Sequence, residues 1–166
     1  MNRDLQITGN RMQITRVFDA PRERVFDAWK RPDLLERWSG CKETAKVEIT
    51  VDFRVGGSFT QKMDIHGAGQ HTIRGVYDEI IEPQKIAYHV NLGPATTRVV
   101  IEFIEQGLQT KVVLTEEGFP DPSIVKIVST GTMESVEKLE QLLVAQLHEP
   151  AAPGGMSVSS APEEYE

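Results

Sequence analysis

Three polar residues lie inside alternating apolar segments, where they could do chemistry. They are Gln61, Tyr88 and Glu116. At a spacing of two, a strand would place each of them on one face with apolar neighbours, which are Phe59, Met63, Ile86, Val90, Val112 and Leu114. An interior Glu116 would have a raised pKa, which suits acid–base chemistry or a cationic ligand. An interior amide or hydroxyl would need a hydrogen-bond partner, which a ligand could supply.

Each of these residues also has a structural alternative. Glu116 would meet water if its strand ends at that point. Gln61 would be satisfied equally well by the backbone or by water, and Tyr88 would cap an apolar core without contacting a ligand.

Metal chemistry has little support in the four histidines, which are His66, His71, His89 and His148. His66 and His71 flank one predicted hairpin loop with Asp64 nearby, whereas a zinc site needs three or four converging ligands. Asp64 and His66 would point outward if Met63 points inward. We therefore predict no metal site.

Nucleophilic and cofactor-dependent chemistry are also unsupported. Cys41 is the single cysteine, so it cannot form an intramolecular disulfide. No histidine or asparagine motif surrounds it, and we interpret it as inert. The sequence has no nucleophile elbow, no Walker A loop and no dinucleotide-binding glycine motif. We therefore predict no cofactor and assign no catalytic residue.

The composition is typical of a globular protein that does not bind nucleic acid. The 166 residues suit one domain, and 39% of them are hydrophobic and 26% charged. A net charge of −7 would repel phosphate backbones. No apolar run approaches the roughly 18 residues that a membrane helix needs, and the N-terminus lacks an apolar signal segment. We expect a cytoplasmic protein with no membrane insertion.

The chain divides into a body and a tail. Residues 149–166 are rich in proline, glycine, serine and alanine, and their charged residues are four glutamates. Such a segment cannot bury enough apolar surface to offset the entropy of ordering it. We predict a single domain over residues 1–148 and a disordered acidic tail over residues 149–166.

The two ends of the body carry its predicted helices. Residues 12–18 alternate as a strand, and Pro21 and Pro32 then mark the starts of two short helices. Apolar residues at helical spacing run from about Ser123 to Leu147, which predicts one long helix.

Between these helices the apolar period is two. Turn signals rich in glycine or proline separate the strands over residues 44–117, as in an antiparallel meander. The inward face of the strand over residues 71–82 is not fixed, because apolar residues occupy both parities. The predicted fold is therefore α+β, with a curved antiparallel β-sheet wrapped around a long C-terminal α-helix and two short helices near the N-terminus.

Four segments carry a resemblance to a known family. In chain order they are VFDAPRERVFDAWKRPDLLERW, DFRVGGSF, GVYDEI with EPQKIAY, and LTEEGFPD. Together, over residues 11–147, they resemble the Activator of Hsp90 ATPase homologue 1-like (AHSA1-like) branch of the SRPBCC superfamily, whose members are START and Bet v 1-like. The resemblance implies a helix-grip fold with an elongated cavity between sheet and helix. Relatives bind lipids, sterols or polyketides, some cyclise aromatic polyketides, and the eukaryotic namesake contacts the chaperone Hsp90.

The chain departs from this family pattern at three places. Ser39-Gly40-Cys41 lacks the second aromatic residue that often follows the tryptophan, and Gly131-Thr132 stands where many members have Gly-Trp. Both changes remove bulk near the implied cavity, so we expect a roomier pocket or a different ligand. Glu116 stands where the family often has histidine, which implies an acidic polar end to the pocket.

Three hypotheses of function follow. The first is binding of a small apolar molecule in the cavity, oriented by one or two polar groups. The second is a cyclase- or hydrolase-type enzyme, in which Glu116 acts as acid or base and Tyr88 assists. The third is an Hsp90-type chaperone interaction domain, and a protein partner or a homodimer stays open. The predicted ligand-binding residues, whose aromatic and methionine members are also typical of plain core, are Trp38, Phe59, Gln61, Met63, Tyr88, Ile101, Phe103, Glu116, Met133 and Val136.

Overall fold

A computed structural model of the chain describes residues 4–93 and 95–147. The acidic tail predicted over residues 149–166 lies outside these described residues. In chain order the elements are β1 (Leu5–Thr8), β2 (Arg11–Phe18), α1 (Arg22–Lys30), α2 (Pro32–Trp38), β3 (Thr44–Val51), β4 (Ser58–Ile65), β5 (Gly69–Ile81), β6 (Lys85–Asn91), β7 (Thr96–Gln106), β8 (Gln109–Glu117) and α3 (Pro122–Leu147).

All eight strands of the described residues belong to one antiparallel sheet, in the order β1-β2-β8-β7-β6-β5-β4-β3. The predicted meander is confirmed from β3 to β8. Strand β2 pairs with β8, the last strand of the meander, and this pairing adds the N-terminal strands β1 and β2 to the same sheet. The predicted helix-grip α+β fold is therefore confirmed.

Strand β1 was not predicted from the sequence. Its four residues pair with β2 in the register Leu5 with Ile14 and Thr8 with Arg11. Ile7 is 43% exposed, so β1 buries little apolar surface of its own. It forms because β2 supplies a backbone partner, and not because its own pattern demands a strand.

The three helices of the described residues cover different parts of the sheet. Helix α1 packs on β7 and β8, α2 packs on β3, and α3 packs mainly on β1, β2 and α2. The aromatic rings of Phe26, Phe53 and Phe103 meet edge to face beneath α1, with Phe26 at 5.9 and 5.0 Å from the other two centroids. Among the described residues, the inner face of β4–β6 therefore lacks a helix packed directly on it.

A β-bulge resolves which residues of β5 face inward. Across the β5–β6 pair, Tyr77 opposes Tyr88 but Glu79 opposes Ala87, so one extra residue is accommodated between them. Tyr77 and Ile80 consequently both pack against the core, although their spacing of three would oppose them in a regular strand.

No helix of the described ranges combines the length and the apolar character that crossing a membrane requires. Even α3, with 26 residues, falls short on this criterion.

Candidate ligand-binding cavity

A cavity of about 360 Å³ lies against the inner face of the sheet, where no helix of the described residues packs directly on β4–β6. Its walls come from the inner side of the sheet, from the α2–β3 connection and from one face of α3. The lining residues are Trp29, Leu35, Trp38, Ser39, Gly40, Cys41, Ile49, Val51, Phe59, Gln61, Met63, Ile65, Ile73, Tyr77, Ile86, Tyr88, Leu114, Ile127, Val128, Gly131, Thr132, Ser135 and Val136.

The lining has no charged residue among those that the structure describes. It is built from aliphatic and aromatic side chains with a few amide, hydroxyl and thiol groups. This composition and this volume are typical of small-molecule pockets, at the lower end of their size range.

An aromatic cluster of Phe59, Tyr77 and Tyr88 forms one wall of the cavity. The ring of Phe59 lies 5.3 Å from that of Tyr77 and 5.0 Å from that of Tyr88, and the two tyrosine rings are 6.0 Å apart. Gly75 pairs with Phe59 across the β4–β5 ladder, and the absence of a Cβ atom lets the Phe59 ring lie over it.

The hydroxyl groups of Tyr77 and Tyr88 make no hydrogen bond to any other residue in the described part of the chain. Burial raises the pKa of both phenols above the ordinary value of 10.0, and the charge of Glu116 adds to the rise at Tyr88. Both hydroxyls therefore remain protonated at neutral pH, and each presents one O–H donor.

Gln61 is the lining residue with the largest uncharged polar side chain. Its Nε2 atom donates to the sulfur of Met63 at 3.3 Å. Because thioether sulfur is a weak acceptor, this contact leaves most of the hydrogen-bonding capacity of the amide available to a ligand.

The α2–β3 connection forms the rim of the cavity and is held to α3 by two hydrogen bonds. Ser135 Oγ donates to the Gly40 carbonyl at 2.7 Å, and Lys138 Nζ donates to the Ser39 carbonyl at 2.9 Å. Burial lowers the pKa of Lys138. Cys41 lines the cavity beside this contact, with Sγ 3.4 Å from Oγ1 of Thr44.

Glu116 is interior, on the same buried face of β8 as Val112 and Leu114, so the alternative in which it meets water at the end of the strand does not hold. Its side chain is buried, and Thr97 Oγ1 donates to its Oε2 atom at 2.7 Å. Burial raises the pKa of Glu116, and the Thr97 hydrogen bond opposes part of that rise. The carboxylate does not line the cavity, whereas Leu114, two residues earlier on the same face, does.

Six of the ten predicted ligand-binding residues line the cavity: Trp38, Phe59, Gln61, Met63, Tyr88 and Val136. The other four, Ile101, Phe103, Glu116 and Met133, are buried but do not line it. Ile101 and Phe103 belong to β7, which lies beneath α1, and Met133 packs into the core from α3. A ligand contact remains a prediction for all ten residues.

Several lining residues were not predicted, although the sequence held a signal for some of them. The inward orientation of Tyr77 could not be predicted, because the β5 bulge changes which residues face inward and periodicity cannot locate a bulge. Ser39–Cys41 and Gly131-Thr132 are the segments in which the chain lacks aromatic bulk that the resembling family often has, and both line the cavity. Departures from the family pattern were thus a better guide to this wall than apolar spacing was.

The only group of described residues arranged closely enough to share a metal ion consists of Cys41, Glu43 and Glu134, whose donor atoms lie within 4.8 Å of one another. Glu134 already accepts a hydrogen bond from the Lys42 amide at 2.9 Å. The charge of Glu134 also acts on the nearby Lys138, whose ammonium group disfavours a second cation. His71, weighed in the sequence as a ligand, instead contacts the Ala68 carbonyl through Nε2 at 2.9 Å.

Solved structures share this fold. A protein from Chromobacterium violaceum is 25% identical, with a TM-score of 0.71 over 80% of this chain and 96% of that one. A protein from Staphylococcus epidermidis is 24% identical, with a TM-score of 0.68 over 89% and 98%. A protein from Arthrobacter aurescens is 18% identical, with a TM-score of 0.73 over 85% and 91%.

The chain has no match among the curated proteins with which it was compared. The family model of the Activator of Hsp90 ATPase homolog 1-like proteins matches residues 19–144, which include α1, the sheet from β3 to β8 and most of α3. The match spans more than half of the chain, and the fold is that of the resembling superfamily. The chain therefore belongs to the Activator of Hsp90 ATPase homolog 1-like family.

Proposed function

We propose that this protein binds a small, largely apolar molecule in the cavity between the sheet and α3. The observation that carries the proposal is a cavity of about 360 Å³ whose lining has no charged residue among those described. Burying an apolar molecule there would be favourable by roughly 25 cal/mol for each Å² of apolar surface removed from water.

Two threonines on α3 offer a matched test of this proposal. Thr132 lines the cavity, whereas Thr130 is exposed and does not. Each hydroxyl donates to the carbonyl four residues earlier, at 2.8 Å for Thr132 and 2.9 Å for Thr130. Replacing either threonine by tryptophan therefore removes an equivalent hydrogen bond, but only Thr132→Trp adds an indole to the cavity wall.

Calorimetric titration with small naphthalene derivatives would measure the effect. We expect the wild type and Thr130→Trp to bind the same derivatives with similar affinity, and Thr132→Trp to bind them at least about tenfold more weakly because the indole occupies the site. Equal binding by all three proteins would contradict the proposal, and so would the absence of binding by the wild type.

The geometry favours binding over the enzymatic alternative. Acid or base catalysis needs the reacting group within hydrogen-bond reach of the substrate. Tyr88 lines the cavity, but the Glu116 carboxylate does not, and Thr97 occupies its Oε2 atom. A catalytic pair of Tyr88 and Glu116 acting on a molecule in the cavity therefore has less support than a binding site does.

The chaperone alternative draws its support from the family match and not from the geometry. It predicts a sizeable exposed apolar patch. The large apolar side chains that are exposed within the described residues are distributed over β1, β2, β5, β7, α3 and two connecting segments: Ile7, Val17, Val55, Val76, Ile81, Ile104, Leu108, Ile127 and Val144. A pull-down with an Hsp90-type chaperone tests this alternative, and a specific complex would support it.

A further inference from the structure

We propose that the cavity selects uncharged molecules that carry an oxygen acceptor, such as a ketone or ester carbonyl, on an apolar skeleton. The hydroxyl groups of Tyr77 and Tyr88 are the donors that recognise this oxygen. The inference rests on the proposed binding function and assigns the chemical class of the ligand.

The described lining of the cavity carries no charge that could pair with an ionic ligand. A carboxylate or an ammonium group that enters this cavity leaves water without meeting an opposite charge on the lining. Burying an unpaired ion is strongly unfavourable, and the usual outcome is that the group neutralises instead. Lys138 is close to the rim, but its Nζ atom is directed to the carbonyl of Ser39. Glu116 would also repel a negative charge in the cavity. It lies two strands away from Tyr88, because Val99 pairs with Tyr88 on one side and with Glu116 on the other.

The hydrogen-bond donors on the cavity wall differ in whether a protein group already accepts from them. Thr132 and Ser135 already donate their hydroxyl protons to carbonyl groups of the protein, Val128 for the first and Gly40 for the second. Gln61 Nε2 donates to the sulfur of Met63. The hydroxyls of Tyr77 and Tyr88 have no partner in the part of the chain that the structure describes.

The two hydroxyls are also accessible. Neither is among the unpaired side-chain atoms of the described residues that are fully sealed from solvent. Tyr77 is only 4% exposed overall and lines the cavity together with Tyr88, so the accessible surface of these hydroxyls faces the cavity. A ligand oxygen in the cavity could therefore accept a hydrogen bond from these hydroxyls.

The protonation state of the two tyrosines determines whether they need a donor or an acceptor atom on the ligand. Burial raises the pKa of both phenols, so they stay protonated at neutral pH. They can therefore each donate to a lone pair on a carbonyl, ether or hydroxyl oxygen. Their packing in the aromatic cluster fixes the rings, so little side-chain freedom is lost when the oxygen binds.

Three ligands with the same ring skeleton test the effect of an oxygen acceptor and the effect of charge separately: acetylnaphthalene, ethylnaphthalene and naphthoate. We expect acetylnaphthalene to bind about three- to tenfold more tightly than ethylnaphthalene, because it alone gains the tyrosine hydrogen bonds. Naphthoate should bind at least about tenfold more weakly than the ketone at pH 7, because its charge must be buried. Its affinity should increase as the pH falls towards the pKa of the free acid.

Tyrosine-to-phenylalanine variants provide the second readout. In the double variant Tyr77→Phe with Tyr88→Phe, the preference for the ketone over the hydrocarbon should fall to less than about twofold. Ethylnaphthalene serves as the matched control, because its affinity should be the same in the wild type and the variant. Each single variant is measured as well, so the comparison survives if the double variant fails to fold.

The outcomes distinguish this inference from the proposed function. If naphthoate binds as tightly as the ketone at pH 7, or if the ketone preference persists without both hydroxyls, the inference is overturned while binding in the cavity stands. If none of the three compounds binds up to its solubility limit, the proposed function fails and the inference fails with it.

Discussion

Tyr88 and Glu116 lie on the same face of the sheet, in register through Val99, which pairs with Tyr88 on β6 and with Glu116 on β8. They are thus about 9–10 Å apart at the backbone, since each ladder step is close to 4.8 Å. Only Tyr88 of the two lines the cavity. In this row, the buried Glu116 carboxylate acts on the cavity-lining Tyr88 through its charge and not through contact.

Replacing Glu116 by glutamine should remove a pH-dependent loss of stability. Burial raises the pKa of Glu116 above the ordinary 4.5, so the folded state holds its proton at pH values where the unfolded state has lost it. This group's contribution to the free energy of unfolding is therefore present at low pH and is lost as the pH rises through the folded-state pKa. Urea unfolding from pH 4 to pH 8 should show the Glu116→Gln variant gaining stability relative to the wild type as the pH increases.

Glu117 provides the control for that experiment. It neighbours Glu116 on β8, but its side chain is 56% exposed and meets Arg11 at 3.9 Å. A surface pair of this kind contributes little, so Glu117→Gln should follow the wild-type pH dependence. If both variants behaved alike, the raised pKa of Glu116 would not be the cause.

Replacing Gly75 by alanine should destabilise the sheet beside the cavity. The added Cβ atom would overlap the Cζ atom of Phe59 and would lie 2.5 Å from the His89 carbonyl oxygen. We expect a loss of about 1–3 kcal/mol in the free energy of unfolding, as for other overpacked sites. The double variant Phe59→Leu with Gly75→Ala should recover part of this loss, because the two sites are in contact. Additive losses would show that the Phe59 ring is not the obstacle.

Replacing Trp38 by phenylalanine tests the junction of the two short helices. Trp38 Nε1 donates to the Ala28 carbonyl at 2.9 Å, near the C-terminal end of α1, where carbonyl groups lack partners within the helix. The variant keeps an aromatic ring beside Trp29 but leaves that buried carbonyl unpaired. Chemical denaturation should show a loss of about 1–3 kcal/mol. If the denaturation midpoint and slope were unchanged, water would be replacing the indole hydrogen bond with no loss in the free energy of unfolding.

Replacing Phe103 by alanine tests whether this side chain belongs to the packed core and not to the cavity wall. Phe103 was predicted to contact ligand, but it is 2% exposed and its ring packs against Phe26 and Trp29 at 5.0 and 5.3 Å. We expect a loss of about 3–5 kcal/mol in the free energy of unfolding. Phe59→Ala, at the cavity wall, should cost less, because one side of that ring already lacks packed neighbours. The reverse order of these two losses would contradict the assignment of Phe103 to the core.

The sequence predicted most of the fold because most strands bury one face. Val99, Ile101 and Phe103 alternate without interruption, and all three are buried as predicted. The same logic placed Glu116 inside. Alternation could not predict which residues of β5 face inward, because the bulge between Tyr77 and Glu79 changes the alternation partway along the strand.

The cavity was harder to predict than the fold. Periodicity assigns a residue to a face, but whether a helix covers that face depends on tertiary packing. Ile101 and Phe103 share the inward face with cavity residues and still lie in the core, because α1 packs on β7. Ser39 to Cys41 carry no periodic signal, and they line the cavity because hydrogen bonds to Ser135 and Lys138 hold them there.

The most direct test of the central claim is an amide and indole NMR titration of the labelled protein with acetylnaphthalene. The chain has two tryptophans, Trp29 and Trp38, and both line the cavity. We expect saturable shifts of both indole N–H signals and of the Gln61 and Tyr88 amides, with none at Leu108, which is 87% exposed on the β7–β8 turn. Indole signals that stay in place up to the solubility limit, or shifts confined to the surface, would contradict the claim.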